Sequence, residues 1–327
     1  MLQAANGKRL NIHEVAPRDG LQIEPVFVPT EEKIALVDRL SSTGLTKIEV
    51  TSFTSSRAIP ALADAQAVMD GIRRAAGVEY AALVPNVRGG ERALACGVDE
   101  LNVVMSASES HNRANLRMSR EQSLNQFADI VALARGAAAV NASLSTAFGC
   151  PFEGRVDDAE VLGWVERIAA LGIGRLTLCD TTGMADPARV QRLCAAVLTR
   201  HPRLILTAHF HDTRGMGLAN VLAALEAGVE RFDASLGGLG GCPFAPGASG
   251  NVCTEDMVHM LQAMGYDTGV DLDALLECVR SLPGLVGHDI PGQVVKAGPS
   301  SRRHPLPKQS DQTWLAGVVP VCTGVAP

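Results

Sequence analysis

STGLTKIEV, residues 42–50, joins the end of a helix-like run to a short β-rich run through one glycine, and the same join recurs three times. ACGVDELNVV (95–104), ALGIGRLTLC (170–179) and EAGVERFDAS (226–235) repeat it. Gly44, Gly97, Gly172 and Gly228 stand where a helix C-terminus needs a positive φ, which glycine tolerates. The segments before them carry helical periodicity, as in Ile34, Val37 and Leu40, with Thr30-Glu31-Glu32 supplying a cap and first-turn acids. Asp186-Pro187 opens another helix by the same logic.

Further strands are expected at Asn11–Val15, Glu79–Val84, Val140–Thr146 and Leu204–His211, which with the four repeats makes eight. Strict alternation of strand and helix implies a parallel sheet, and eight units in about 260 residues predict a closed (β/α)8 TIM barrel. The alternative is an open doubly wound sheet. That fold would place a Gly-rich phosphate turn after the first strand, where this chain reads APRDGLQ (16–22). The barrel is assigned to residues 1–282. Residues 283–327 are read as a C-terminal extension, partly disordered, because AGPSSRRHPLPKQSDQTW (297–314) is rich in Pro, Ser and charge with little periodicity.

Composition narrows the function. The chain of 327 residues has a net charge of −6 and few aromatics, so no nucleic-acid surface is expected. Its eight cysteines form no CxxC pair, as in a reducing compartment. The N-terminus lacks a signal-peptide apolar stretch and no run reaches membrane-span length; a soluble, cytoplasmic protein without membrane contact is the expectation.

A barrel of this type builds its active site at the C-terminal ends of its strands. Here those ends carry Arg18-Asp19-Gly20, Glu49-Val50-Thr51-Ser52, Asp180-Thr181-Thr182-Gly183 and His209-Phe210-His211-Asp212. In LTAHFHDTRG (206–215) the period of two puts His209 and His211 on one side of the strand. That pair reads either as two separately satisfied histidines or as ligands of one shared metal. GLGGCPFAPGASGN (238–251), with five glycines and two prolines, is a shaped loop over the mouth or a flexible linker. A linker accounts for the glycines but not for Cys242 and Asn251 within them.

With these motifs in hand, the chain resembles the metal-dependent DRE-TIM barrel family that also contains isopropylmalate synthase, and within it the 3-hydroxy-3-methylglutaryl-CoA lyase branch. The resemblance rests on APRDGLQIE (16–24), KIEVTSFTS (47–55), GCPFEG (149–154), CDTTG (179–183), AHFHDTRGMGLAN (208–220) and the Cys242 loop, and covers roughly residues 10–270. The synthases share the histidine pair but not the Cys-centred loop. The resemblance implies a divalent metal, Mg²⁺ or Mn²⁺, held by Asp19, His209, His211 and Asn251, a thiolate-free set suited to an octahedral ion. It implies cleavage of an acyl-CoA thioester, 3-hydroxy-3-methylglutaryl-CoA, to acetoacetate and acetyl-CoA, as in leucine degradation. Arg18 would offset the enolate charge, Asp180 or His209 would be the general base, and Cys242 would protonate the enolate carbon. Glu49, Ser52 and Gln22 would orient the substrate and Arg18. A homodimer or higher homo-oligomer is expected. Three rivals are a lyase for a longer 3-hydroxy-3-alkylglutaryl-CoA, such as the isohexenyl thioester, a Claisen-type acyl-CoA synthase, and a non-catalytic metal-binding barrel acting as a binding module.

Overall fold

The computed structural model describes residues 7–241 and 250–305. Eight strands, β1 (Asn11–Glu14), β2 (Lys47–Ser52), β3 (Glu79–Leu83), β4 (Glu100–Ser106), β5 (Ala139–Ser145), β6 (Arg175–Asp180), β7 (Ile205–Phe210) and β8 (Arg231–Ala234), close a barrel in sequence order. Every neighbouring pair is parallel, including β8 with β1. The helices between them are α1 (Thr30–Leu40), α2 (Ala65–Gly71), α3 (Val87–Ala95), α4 (Glu109–Leu116), α5 (Arg120–Ala134), α6 (Asp158–Ala170), α7 (Pro187–Arg200) and α8 (Gly217–Glu226). The four repeat glycines have φ of 88°, 66°, 85° and 103°, as their place after a helix requires.

Alternation along each strand divides the molecule into two polar and apolar layers. On β6, Leu176 and Leu178 are fully buried in the apolar core, whereas Thr177 joins the hydrogen bonds of the polar barrel interior. Each fully buried aliphatic side chain of this kind contributes about 1.5–3 kcal/mol. Inside, Asn141 donates to Asn102 at 3.0 Å and to Thr177 at 3.1 Å, so the buried amides are satisfied by one another. At the N-terminal ends of the strands, Lys47 and Arg175 share the Glu100 carboxylate at 2.8 and 2.6 Å.

Three sequence expectations need correcting. Thr30 is not the cap of α1: it lies inside the first turn and its hydroxyl donates to Asp64 at 2.8 Å, while Pro29 occupies the cap position. The strand that carries the histidine pair ends at Phe210, one residue before His211, which instead forms an isolated antiparallel bridge with Asn251. The packed chain also continues past Pro283. Helices α9 (Thr254–Ala263) and α10 (Leu272–Val286) follow the barrel, α10 runs through Pro283, and α11 (Val294–Ala297) comes after it. Val286, Ile290 and Val294 recur at a spacing of four and are buried, and the Gln293 and Val294 amides donate to Asp256. Residues 306–327 of the extension lie outside the described residues.

Candidate active site

The mouth begins at the end of β1, where the amides of Arg18, Asp19 and Gly20 all point at the Val15 carbonyl, at 3.1, 2.7 and 3.3 Å. This wide turn, of a kind common at functional sites, aims Arg18 and Asp19 back over the barrel. Glu14 fixes the turn from below: one oxygen accepts from the Ala16 and Leu236 amides, each at 2.8 Å, and the other from the Thr254 hydroxyl at 2.7 Å. One carboxyl thus ties the Arg18 turn to the segment leaving β8.

Arg18 is buried between two carboxylates. Its Nε donates to Glu49 Oε2 at 2.6 Å and its Nη1 to Asp19 Oδ1 at 2.6 Å. Glu49 is held in turn by the Asn102 amide at 2.7 Å. Asp19 also accepts from Gln22 at 3.0 Å and, on Oδ2, from Asn251 Nδ2 at 2.8 Å. Burial by itself would raise the Asp19 pKa, but Arg18, both imidazoles and the Asn251 amide hold it below the ordinary range.

Asn251 arrives by backbone pairing. The Asp212 amide donates to the Gly250 carbonyl at 3.0 Å and the Val252 amide to the Phe210 carbonyl at 3.1 Å, so this segment zips against the end of β7. A Cβ at Gly250 would stand 1.8 Å from the Gly238 carbonyl oxygen, and only glycine permits the approach. Asp19, His209 and His211 offer ligand atoms within 4.8 Å of one another and are the one such group of three among the described residues. Their rings tilt by 39° with centroids 5.3 Å apart. Two further atoms invite a ligand, because Asn251 Oδ1 and His211 Nδ1 are buried without a hydrogen-bond partner. Carboxylate, imidazole and amide oxygen without thiolate fit a divalent cation that favours oxygen and nitrogen.

Asp180, at the end of β6, serves first as a turn-former: Oδ1 accepts from the Met184 amide at 2.7 Å. Its Oδ2 is buried with no partner, and burial lifts the pKa to about 6. Ser52 ends β2 with its hydroxyl 2.8 Å from that of Thr54, and Gln22 reaches Asp19 instead of Arg18. Cys242 lies outside the described residues, although Gly240 and Gly250, on either side of the segment that contains it, stand beside Asn251 and Asp19.

Sequence reading missed Asp233 and His13. Asp233 on β8 lies 2.9 Å from His13 Nδ1 and 3.4 Å from His209 Nδ1. His13, His209 and Lys47 hold its pKa far below the ordinary value against the effect of burial. The signal was present in RFDA: alternation makes Asp233 an inward carboxylate between outward Phe232 and Ala234.

Buried Glu14 and Glu255 give the fold a pH dependence. Burial lifts their pKa values from 4.5 to about 7 and about 8. Each is protonated in the fold and ionised in the unfolded chain between those limits, so each loses stability as pH rises. Burial lowers His13, His111 and His211 to about 4, which acts in the opposite sense but only below about 6.5. Above that, the two carboxyls act in the same sense as Asp180 and His209, whose pKa values are also raised. We expect the metal-free protein to lose about 2 kcal/mol between pH 6.5 and 8. Melting temperature in a chelating buffer measures this, and Glu255→Gln should flatten most of the slope; an equally steep slope in the variant assigns it elsewhere.

A closed parallel barrel whose C-terminal mouth gathers a buried arginine, an inward carboxylate cluster and two imidazoles defines a (β/α)8 barrel enzyme with a cation pocket. The chain belongs to the HMGL-like family, whose model matches residues 9–281. Hydroxymethylglutaryl-CoA lyase YngG of Bacillus subtilis is 48% identical over 295 residues, 90% of this chain and 99% of that protein. The mitochondrial hydroxymethylglutaryl-CoA lyase of Gallus gallus is 44% identical, over 83% of this chain and 91% of its own. Among solved structures, an HMG-CoA lyase from Acinetobacter baumannii in complex with coenzyme A and 3-methylmalate superposes with a TM-score of 0.89 at 51% identity, over 94% of this chain and all of that one.

Proposed function

We propose that the protein is a carbon–carbon lyase that cleaves 3-hydroxy-3-methylglutaryl-CoA to acetoacetate and acetyl-CoA. The observation that carries the reading is the convergence of Asp19, His209, His211 and Asn251 beside Arg18 at the barrel mouth. Relatives bearing the lyase name match it over nearly their full length, which favours this thioester over the isohexenyl one and over a synthase.

Asp19, His209, His211 and Asn251 would hold Mg²⁺ or Mn²⁺, which when bound supplies Lewis acidity to the tertiary hydroxyl. Asp180 is the better general base. His209 already commits Nδ1 to Asp233, whereas Asp180 Oδ2 is buried, unpartnered and has a pKa close to neutrality. As Asp180 takes the hydroxyl proton, the C2–C3 bond breaks, its electron pair passes to the thioester enolate, and the ketone of acetoacetate forms. Arg18, fixed by Glu49 and Asp19, offsets charge on the enolate oxygen. The Cys242 thiol then delivers a proton to the enolate carbon, while Gln22 and Ser52 border the substrate. We further place the enzyme in the cytoplasm as a homodimer or larger homo-oligomer, an assembly that light scattering reads directly. Among the described residues no helix is long and apolar enough to cross a membrane.

Acetyl-CoA release tests the reading. Chelated enzyme should be inactive, Mg²⁺ or Mn²⁺ should restore it, and the methyl thioester should turn over faster than the isohexenyl one. His211→Ala should lose both cation affinity and turnover. Unchanged affinity and activity in that variant would remove the proposed cation site, and faster turnover of the isohexenyl thioester would reassign the substrate.

A further inference from the structure

We propose that His13 is a positioning residue for the cation pocket, acting through Asp233 on His209; the inference rests on the reading of His209 as a cation ligand. Three neighbouring strands place these side chains in one row. His13 on β1 is the register partner of Asp233 on β8, and Asp233 is the register partner of His209 on β7. The three therefore share one register row across the barrel's inner face, with Asp233 in the middle.

The hydrogen-bond chemistry is directional. A carboxylate only accepts, so the imidazole nitrogens that face it carry the protons. His13 Nδ1 lies 2.9 Å from Asp233 Oδ1, and His209 Nδ1 lies 3.4 Å from Oδ2. With its proton on Nδ1, His209 keeps Nε2 as the lone-pair atom. A metal-binding imidazole is oriented by such a carboxylate in many sites. What this chain adds is a second histidine behind the carboxylate, 2% exposed and sealed in the barrel.

His13 matters because Asp233 has a competing attraction. Lys47 is the register partner of His13 on the other side and feels the Asp233 charge, although its ammonium is bonded to Glu100 at 2.8 Å. A carboxylate freed from His13 can rotate toward that ammonium and leave His209 free to turn. By holding Oδ1, His13 keeps Oδ2 on His209.

Manganese binding to the metal-free protein, followed by the loss of the free Mn²⁺ spin-resonance signal without substrate, tests this. His13→Phe keeps a ring but no donor, and we expect its affinity to fall about tenfold, the lower end for outer partners of metal-bound histidines. His13→Asn places an amide N–H where Nδ1 stood and should recover most of the loss. His13→Gln extends its amide past that point and should not. Wild-type affinity in His13→Phe overturns the proposal, as does Asn binding no better than Gln. Should the phenylalanine variant fail to fold, the Asn and Gln pair decides by the same comparison. If the wild type itself takes up no Mn²⁺, the cation reading fails and this inference with it; wild-type uptake unaffected by His13 sinks the inference alone.

Discussion

Arg18→Gln lowers kcat on the order of 10²-fold or more while KM changes little, the pattern expected of a group whose charge is needed where the enolate develops. The geometry makes the expectation sharper than side-chain type alone. The guanidinium is clamped at 2.6 Å by Glu49 on one side and at 2.6 Å by Asp19 on the other, and it is only 9% exposed. On the proposed mechanism it would meet the transition state already oriented, with little solvent to rearrange. Glutamine removes the charge and leaves the Glu49 carboxylate with only the Asn102 amide, so some loss of stability accompanies the loss of rate. Steady-state kinetics beside a melting curve separates the two effects. A folded variant with near-normal kcat and a raised KM would reassign Arg18 to substrate binding.

Cys242→Ser, nearly isosteric, is expected to keep cation and substrate binding while kcat falls by orders of magnitude. Proton delivery to carbon is the step that a hydroxyl performs far less readily than a thiol, because its proton is much less acidic. The described residues on either side of that segment stand at the site: a Cβ at Gly240 would stand 2.6 Å from Asn251 Nδ2, and the Gly250 carbonyl accepts from the Asp212 amide. A thiol-alkylating reagent should inactivate the wild type, with a substrate analogue slowing the inactivation. The buried Cys194 should stay unreactive, since burial pushes its pKa to about 12. Turnover of Cys242→Ser close to the wild-type rate assigns the proton to another rim group.

The four helix–Gly–strand joins made the barrel legible, because a C-terminal glycine and a switch from helical to strand periodicity are local properties of the chain. The same alternation marked His209 and His211 as a pair, and it holds even though His211 lies one residue beyond β7. Other features needed residues far apart in sequence. Asn251 reaches Asp19, 232 positions away, because the chain after the glycine loop zips onto the end of β7. Thr30 reads as a cap from its neighbours, yet Asp64 claims its hydroxyl. Pro283 reads as a boundary, yet apolar Val286, Ile290 and Val294 carry the chain on over the barrel. Asp180 is a turn-forming aspartate by sequence, and only burial in the folded mouth lifts its pKa toward that of a base. The sequence by itself determined the fold class and the residue types at the rim, since strand alternation and helix termination act within a few residues. The tertiary structure decided which carboxylate faces which imidazole, because hydrogen-bond partners and desolvation are set by closure of the barrel, which brings β8 against β1 and Asp233 between His13 and His209.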